Sequence, residues 1–240
     1  MGRAVAIELA GHGFGLLLTY RTREAECRET AALAVEAARA AGHTVEVRID
    51  RLDLADRESV ERYARAVRDA HAVRALDAIV HNASGYEPTP FDAISPEAVE
   101  SMYRVEVVSP LVLTAALREP LGRSALPGGG AVVLFGDMFA LGRARPGFTG
   151  YMLAKAAVET LARQLAVELA PASRVHCVAP GVILWPDRTP DELRQAVLAR
   201  TPLGRTGTPA DAARLVRFLI LEAGFMTGET IALDGGRALR

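Results

Sequence analysis

The order of short apolar runs and helix-like segments constrains the fold of this chain more than any other feature. Six runs are short, and most of them are apolar without strict alternation with polar residues. Such runs are typical of strands in a parallel sheet that is covered on both faces. The predicted strands lie in residues 14–20, 44–54, 75–84, 128–137, 173–181 and 230–236. Segments with helical periodicity or composition lie between them, in residues 2–13, 23–41, 56–71, 95–118, 148–170, 190–199 and 209–222.

We therefore predict an α/β fold with a doubly wound, Rossmann-type parallel sheet. The chain has 240 residues, half of them hydrophobic, which suffices for one large core. It contains no linker, repeat or low-complexity segment, and residues 121–130 and 180–208 are interpreted as loops. A single domain spanning residues 1–240 follows. In such folds ligands bind outside the carboxyl ends of the strands, so the strand exits are the candidate site.

Composition and charge exclude several classes of partner and site. The formal net charge is -1, which gives no electrostatic reason to expect nucleic acid. No apolar run approaches the roughly 20 residues needed to span a membrane, and the first residues lack the charged-then-apolar pattern of a signal peptide, so we expect neither. Cys27 and Cys177 lie far apart, as expected for reduced thiols in a cytoplasmic protein. The five histidines have no metal-ligand spacing, so we predict no metal site.

The glycine-rich stretch GHGFG, residues 11–15, has the composition of a phosphate-binding loop but the wrong position. A phosphate loop follows a strand and begins a helix, because helix N-terminal amides bind the phosphate. This stretch ends a helix and begins a strand, so we predict a helix-stop turn. The phosphate loop would precede the helix that starts near Gly2. We therefore expect the first strand and most of its glycine turn to be missing from this sequence.

Tyr151 and Lys155 are spaced four residues apart near the start of a predicted helix, and hence lie on one face. Lys155 is the only lysine among 28 basic residues, the others being arginine. Its presence favours a role that a guanidinium group cannot fill. A free tyrosine has a pKa of about 10, and a nearby ammonium stabilises the phenolate. We predict that Lys155 lowers the pKa of Tyr151 toward the range of a general acid.

Four motifs carry a resemblance to a known family. YMLAK, HNAS, APGVILWP and LDGG together resemble the short-chain dehydrogenase/reductase family over essentially the whole chain. HNASGYEPTPF, PGVILWPD, RTPLGRTGTPADAARLV and an aspartate ahead of the tyrosine are most similar to its pteridine reductase branch. The resemblance implies an NADPH-dependent reductase of a small molecule, a pterin or a folate such as dihydrobiopterin or dihydrofolate. It also implies a homo-oligomer, usually a tetramer in this family.

The resemblance assigns the catalytic residues. Tyr151 would donate a proton to the substrate, and Lys155 would bind the nicotinamide ribose. Most of the family has a serine about thirteen residues before the tyrosine, where pteridine reductases have an aspartate. In this sequence Met138 is the thirteenth residue back and Asp137 the fourteenth. We interpret Asp137 as the catalytic aspartate of the pteridine reductases, with one extra residue in the loop; the alternative is a cap at the end of a strand.

The resemblance also assigns residues that bind the cofactor. Arg21 and Thr22 follow the first predicted strand with no acidic residue beside them. An arginine there suits the 2′-phosphate of NADP, whereas an acid would suit NAD. The other implied cofactor contacts are Gly2, Asp53, Leu54, Asn82, Ala83, Ser84, Pro180, Gly181 and Ile183, together with Tyr151 and Lys155.

The implied substrate residues are aromatic and polar. Tyr86 would stack a pterin against the nicotinamide, and Trp185 lies in the segment where the family has a mobile substrate loop. For both residues simple packing within a loop is the alternative. The remaining substrate contacts would come from Ser84, Asp137 and Tyr151.

One departure from the family pattern concerns Lys155. The family often has an asparagine in its long central helix, where it supports a proton relay to the lysine. Aligning on Pro110 places Glu106 at that position. A carboxylate there can pair with Lys155 and alter the pKa of Tyr151.

Two other functions remain open at this point. One is a short-chain carbonyl or 3-ketoacyl reductase of the same fold, which Met138 in place of the usual serine counts against. The other is a non-catalytic nucleotide-binding or scaffold protein, which the expected loss of the first strand favours.

Overall fold

The computed structural model describes residues 1–70, 73–140, 142–186 and 188–239. Its strands are β1 (Leu16–Tyr20), β2 (Val47–Arg51), β3 (Ala78–His81), β4 (Gly130–Phe135), β5 (Ser173–Pro180) and β6 (Thr230–Leu233). Its α-helices are α1 (Gly2–Gly11), α2 (Glu24–Ala40), α3 (Arg57–Arg65), α4 (Pro96–Tyr103), α5 (Ser109–Ala116), α6 (Arg118–Leu121), α7 (Thr149–Leu169), α8 (Asp191–Ala199) and α9 (Pro209–Leu221). Short 3₁₀ turns occupy Phe91–Ala93, Met138–Ala140 and Arg237–Leu239.

Two of the predicted helices are interrupted by π-helical turns. The helix predicted at 56–71 is regular only in α3 and continues as a π turn over Ala66–Ala70; its last residue, His71, lies outside the described residues. The helix predicted at 95–118 is divided into α4 and α5 by a π turn over Arg104–Val108. Pro110 has no amide hydrogen to donate to the carbonyl of Glu106, so the regular α-helical bond is lost there.

All six predicted strands form, and every strand pair is parallel. The α/β architecture is therefore confirmed. The strands nevertheless form two hydrogen-bonded sheets, β1-β2 and β3-β4-β5-β6, where we predicted one. Within the described ranges, β1 hydrogen-bonds only to β2, and β3 hydrogen-bonds only to β4, so no strand there joins the two sheets. The single domain and the missing first strand stay predictions.

The two central strands of the four-stranded sheet, β4 and β5, are buried along their whole length, as their apolar sequences require. Along β4 the side chains alternate between two apolar clusters. Ala131, Val133 and Phe135 pack with residues of α1 and α9, whereas Val132 and Leu134 pack with residues of α7. Helices thus cover both faces, and β4 presents its carboxyl end at the edge where Asp137 follows.

The stretch GHGFG is a helix-stop turn, as predicted. Helix α1 ends at Gly11, and Gly13 has a φ of +85°, a backbone conformation that favours glycine. The amide of Gly13 donates to the carbonyl of Ala10, and that of Phe14 donates to Leu9. This turn directs the chain from α1 into β1.

A buried arginine ties β5 to the end of α9. Arg174 lies near the start of β5 and donates to four backbone carbonyls. The acceptors are Leu219, Ile220 and Ala223 at the C-terminal end of α9, and Gly128 before β4. A cation is favourable at a helix C-terminus, where the carbonyls carry partial negative charge.

Replacing this residue, Arg174→Met, leaves the four carbonyls without their donors. We expect the free energy of unfolding to fall by about 3 kcal/mol and Tm to fall by roughly 6–12 °C. Chemical denaturation and calorimetry measure both quantities. The matched control is Arg163→Met on the exposed side of α7, where the change should stay below about 0.5 kcal/mol. Equal losses in the two variants would contradict the structural role of Arg174.

Candidate active site

The start of α7 is fixed against the loop that follows β3. The amide of Gly150 donates to Thr89 Oγ1 at 2.9 Å, and the amide of Thr89 donates to the carbonyl of Gly147 at 2.7 Å. The N-cap residue of α7 forms no side-chain hydrogen bond to the helix. The Thr89 hydroxyl, from the loop after β3, therefore takes the place of an N-cap side chain. The same contacts place the 82–90 loop beside Tyr151.

The structure brings Asp137 to Tyr151. The hydroxyl of Tyr151 donates to Asp137 Oδ2 at 2.8 Å, and the amide of Phe139 donates to Asp137 Oδ1 at 2.8 Å. Asp137 therefore acts as a strand-end cap and as a partner of the tyrosine at the same time. Met138, the residue at the usual serine spacing, is buried in the core. The assignment of Asp137 to the position of the family's serine, through one extra residue in the loop, stays a prediction.

Lys155 forms a buried ion pair with Glu106. Lys155 Nζ lies 2.8 Å from Glu106 Oε2, and both side chains are only 3% exposed. The ammonium also donates to the carbonyl of Phe135 at 2.7 Å. Glu106 Oε1 accepts hydrogen bonds from Ser84 Oγ at 2.5 Å and from the amide of Gly85 at 3.1 Å. Such additional hydrogen bonds offset the cost of removing both charges from water.

The pKa of Tyr151 is raised in this arrangement, so the prediction that Lys155 lowers it is wrong here. Burial raises this pKa most, and the charge of Asp137, together with the hydrogen bond to it, raises it further. The charge of Glu106 acts in the same direction. Lys155 does not offset these effects, because its ammonium is paired with Glu106 and lies 5.7 Å from the Tyr151 ring centroid. Tyr151 therefore holds its proton at neutral pH.

An aromatic wall of Tyr86 and Phe148 stands beside the Tyr151 ring. The Tyr86 ring meets Tyr151 edge-on at 5.2 Å and stacks on Phe148 at 5.0 Å. Tyr86 is 43% exposed, so part of it remains available to a ligand. Trp185 instead packs near α8, where the Arg194 guanidinium lies 5.8 Å from its ring centroid. None of the described contacts joins Trp185 to Tyr151.

Gly2 and Asn82, two predicted cofactor residues, lie against each other. A Cβ atom added to Gly2 would lie 2.8 Å from Asn82 Nδ2, so only glycine fits there without a shift. Asn82 Oδ1 is buried and has no hydrogen-bond partner among the described residues. No side chain caps the first amides of α1. The free helix N-terminal amides suit a phosphate, and the unpaired Asn82 oxygen beside them suits a hydroxyl or N–H donor of a ligand. Ala83 and Ser84 continue the chain from Asn82 toward Glu106.

The predicted adenosine-end residues lie at the carboxyl ends of β1 and β2. Arg21 and Thr22 follow β1 and are exposed. Arg51, at the end of β2, donates from Nε to the backbone carbonyl of Arg21 at 3.3 Å, so the Arg51 guanidinium lies beside the segment that carries Arg21. Asp53 Oδ1 accepts the amide of Ala55, which shapes the turn after β2.

The remaining predicted cofactor residues are held by backbone contacts. The carbonyl of Leu54 accepts a hydrogen bond from Ser109 Oγ at 2.6 Å. Pro180 ends β5, and the amide of Gly181 donates to the carbonyl of Leu233 at 3.0 Å. Ile183 is buried beside them. These residues lie at the carboxyl ends of the strands, where the sequence predicted the site.

Sequence reasoning missed two arginines beside the aromatic wall, Arg145 and Arg237. The Arg145 guanidinium lies 4.4 Å from the Phe148 ring centroid, and that of Arg237 lies 5.3 Å from the Phe139 ring centroid. No sequence signal distinguished them, because arginine supplies almost every positive charge of this chain.

Metal and membrane features are absent from the part of the chain that the structure describes. No group of three or more His, Cys, Asp or Glu residues there could hold a metal ion. No helix there is long and apolar enough to cross a membrane.

Comparison with known proteins gives similarity over the whole chain. A family model described as enoyl-(acyl carrier protein) reductase matches residues 1–238. An uncharacterised oxidoreductase of Mycobacterium tuberculosis (strain CDC 1551 / Oshkosh) is 35% identical over 245 residues, covering 98% of this chain and 87% of the relative. A dihydromonapterin reductase of Enterobacter sp. (strain 638) is 28% identical, with coverages of 99% and 94%. The structure of a short-chain type dehydrogenase/reductase from Mycobacterium ulcerans superposes with a TM-score of 0.85 at 27% identity, covering 100% of this chain and 86% of that one.

The effect of Asp137 on Tyr151 can be measured directly. In Asp137→Asn the neighbouring negative charge is lost, so we expect the pKa of Tyr151 to fall relative to the wild-type protein. The phenolate absorbance of each protein is titrated against pH, and the same titration of its Tyr151→Phe derivative is subtracted. The control is Asp92→Asn, an exposed position in the Phe91–Ala93 turn. An unchanged Tyr151 titration in Asp137→Asn would rule out the proposed electrostatic coupling.

Proposed function

The chain belongs to the short-chain dehydrogenase/reductase family of oxidoreductases, and from this membership and the geometry of its site we propose that it is an NADPH-dependent reductase of a pterin or a folate. The hydrogen bond of Asp137 to the Tyr151 hydroxyl, beside the Tyr86 ring, carries the proposal. The name of one relative, a dihydromonapterin reductase, supports a pterin substrate.

The chemistry of Asp137 favours a pterin over a simple ketone. An ionised carboxylate only accepts hydrogen bonds. A pterin carries N–H and NH₂ donors that a carboxylate can bind, whereas a ketone oxygen offers only lone pairs. Asp137 retains acceptor capacity on both oxygens beyond its bonds to Tyr151 and Phe139. A ketone bound at this position would place its oxygen near the Asp137 carboxylate, and because both groups are hydrogen-bond acceptors no hydrogen bond could form between them.

The aromatic wall suits a flat heterocycle. Tyr86 lies edge-on to Tyr151, and its exposed part can stack on a ligand ring that binds next to the Tyr151 hydroxyl. The ring would then lie between an acceptor carboxylate and a proton donor.

The residues present fit a nicotinamide dinucleotide. The free amides of α1 and the unpaired Asn82 Oδ1 supply polar groups for its phosphate and ribose parts. Arg21 and Arg51 would bind the 2′-phosphate at the adenosine end. When bound, the nicotinamide supplies a hydride to a carbon of the substrate.

The residues of this chain supply the proton. Tyr151 Oη, which holds its proton at neutral pH, donates it to the ring nitrogen next to the reduced carbon. The C=N bond is thereby reduced, and Tyr151 regains its proton from solvent. Lys155 stays paired with Glu106, so the two buried charges beside Tyr151 remain balanced. Asp137 orients both the tyrosine and the substrate.

Removing the proton donor tests the assigned chemistry. In Tyr151→Phe we expect kcat for NADPH oxidation with dihydrobiopterin or dihydrofolate to fall by about 10²–10⁴, the range of general acid catalysis. The Kd for NADPH, measured by fluorescence, should stay within about threefold. The matched control is Tyr103→Phe on the half-exposed face of α4, which should retain full activity.

The same assay separates the alternatives. Turnover of a ketone or a 3-ketoacyl thioester, with none of either pterin, would replace the proposal by the carbonyl reductase alternative. A wild-type protein that binds no NADPH would support the non-catalytic alternative instead.

The cofactor preference is tested at the adenosine end. In Arg21→Met we expect the KM for NADPH to rise about tenfold, since a charge-assisted contact to the 2′-phosphate is lost. The KM for NADH should change little, because NADH has no 2′-phosphate. Arg23→Met, two residues further along the same exposed segment, is the control. Equal effects of Arg21→Met on both cofactors would refute the assigned contact.

A further inference from the structure

Four arginines lie near one another beside the aromatic wall and the Phe139 ring. We call Arg143, Arg145, Arg200 and Arg237 the arginine cluster. They come from three separate segments: the loop after β4, the end of α8 and the turn after β6. None of them is used by the proposed proton transfer.

Arg145 is held flat against aromatic rings. Its guanidinium carbon lies 4.4 Å from the Phe148 ring centroid, 5.1 Å from that of Tyr86 and 5.2 Å from that of Phe139. Three rings thus orient one cation by cation–π contact. Since Tyr86 also touches Tyr151, the guanidinium is separated from the proton donor by a single ring.

Arg237 is positioned by the turn after β6. Asp234 accepts the amides of Gly236 and Ala238, which shapes the short 3₁₀ turn that carries Arg237. The guanidinium of Arg237 also lies over the Phe139 ring, at 5.3 Å from its centroid. Arg143 Nη2 donates to the carbonyl of Ala238 at 2.8 Å and joins the loop after β4 to this turn.

The charges of Arg145 and Arg237 lie close together, because both guanidinium groups lie over the Phe139 ring. Within the described residues, no carboxylate forms an ion pair with Arg145 or Arg237. Burial lowers the pKa of Arg237, and the charges of Arg200, Arg145 and Arg143 lower it further, whereas only Asp137 raises it. These guanidinium groups therefore repel one another across a small region. An arrangement of this kind is stabilised by an anion.

We propose that the arginine cluster binds an oxyanion carried by the substrate, a carboxylate or a phosphate, through Arg145 and Arg237. The proposal rests on the proposed function and deepens it, because it selects an anionic pterin derivative such as dihydrofolate over the uncharged dihydrobiopterin. The heterocycle would face Asp137 and Tyr151, and its charged substituent would extend past Tyr86. Arg145 is already oriented by the rings, so little side-chain freedom is lost when it binds the anion.

Equilibrium binding to the protein in the presence of NADP⁺, measured by calorimetry, tests the inference. Dihydrofolate supplies carboxylates, dihydroneopterin monophosphate supplies a phosphate, and dihydrobiopterin supplies neither. We expect Arg145→Met and Arg237→Met each to raise the Kd of one or both anionic ligands by about ten- to a hundredfold. The Kd of dihydrobiopterin should change by less than about threefold. The ligand whose Kd rises more identifies the preferred oxyanion.

The control variant is Arg163→Met, which removes an equal charge from an exposed site of α7 outside the cluster. Equal weakening of dihydrobiopterin and the anionic ligands in Arg145→Met and Arg237→Met would overturn the inference, since the arginines would then only support the aromatic wall. Unchanged binding of all three ligands would overturn it as well.

A second pair of ligands separates this inference from the proposed function. If the wild-type protein binds none of the pterins, the pterin proposal fails, and acetoacetate is compared with its uncharged ethyl ester in NADPH turnover. A higher kcat/KM for acetoacetate that is lost in Arg145→Met would uphold oxyanion binding without pterins. No preference for the charged ketone would overturn oxyanion binding too.

Discussion

A buried ammonium needs a buried negative charge, and Glu106 supplies it to Lys155. Four segments meet at this pair. Lys155 extends from α7 to the carbonyl of Phe135 at the end of β4, and Glu106 extends from a π turn to Ser84 and Gly85 after β3. The Lys155–Glu106 ion pair and its hydrogen bonds therefore hold α7 and the π turn against the ends of β3 and β4. Removing either charge alone would leave the other unpaired in the core.

Charges of opposite sign are arranged in layers outward from this pair. The innermost layer is neutral, because ammonium and carboxylate balance. Asp137 gives the next layer an acceptor carboxylate bound to Tyr151, and Arg145 and Arg237 give the outermost layer positive charge. In the proposed function a substrate enters with its donor-rich heterocycle toward Asp137 and its anionic end toward solvent. The two ends of the substrate are thus distinguished by charge as well as by shape.

Local patterns predicted the elements and part of the site. The apolar runs predicted all six strands, and the spacing of Tyr151 and Lys155 on one helix was enough to place them on the same face. The choice of Asp137 over Met138 is matched by the hydrogen bond to Tyr151. The division into two sheets could not be predicted, because strand pairing depends on distant partners. The raised pKa of Tyr151 escaped prediction for a similar reason, since it depends on burial and on where Glu106 and Asp137 lie in space.

The solitary lysine has a practical consequence for chemical labelling. Reagents that acylate primary amines have only two kinds of target in this sequence, Lys155 and the amino terminus. The native fold shields the first of these, because its ammonium is buried, ion-paired and hydrogen-bonded. Acylation therefore marks the terminus of intact molecules and reaches the second amine only in those whose core has opened. The ratio of doubly to singly acylated chains, followed over time by mass spectrometry, would measure the rate at which the core opens and exposes Lys155.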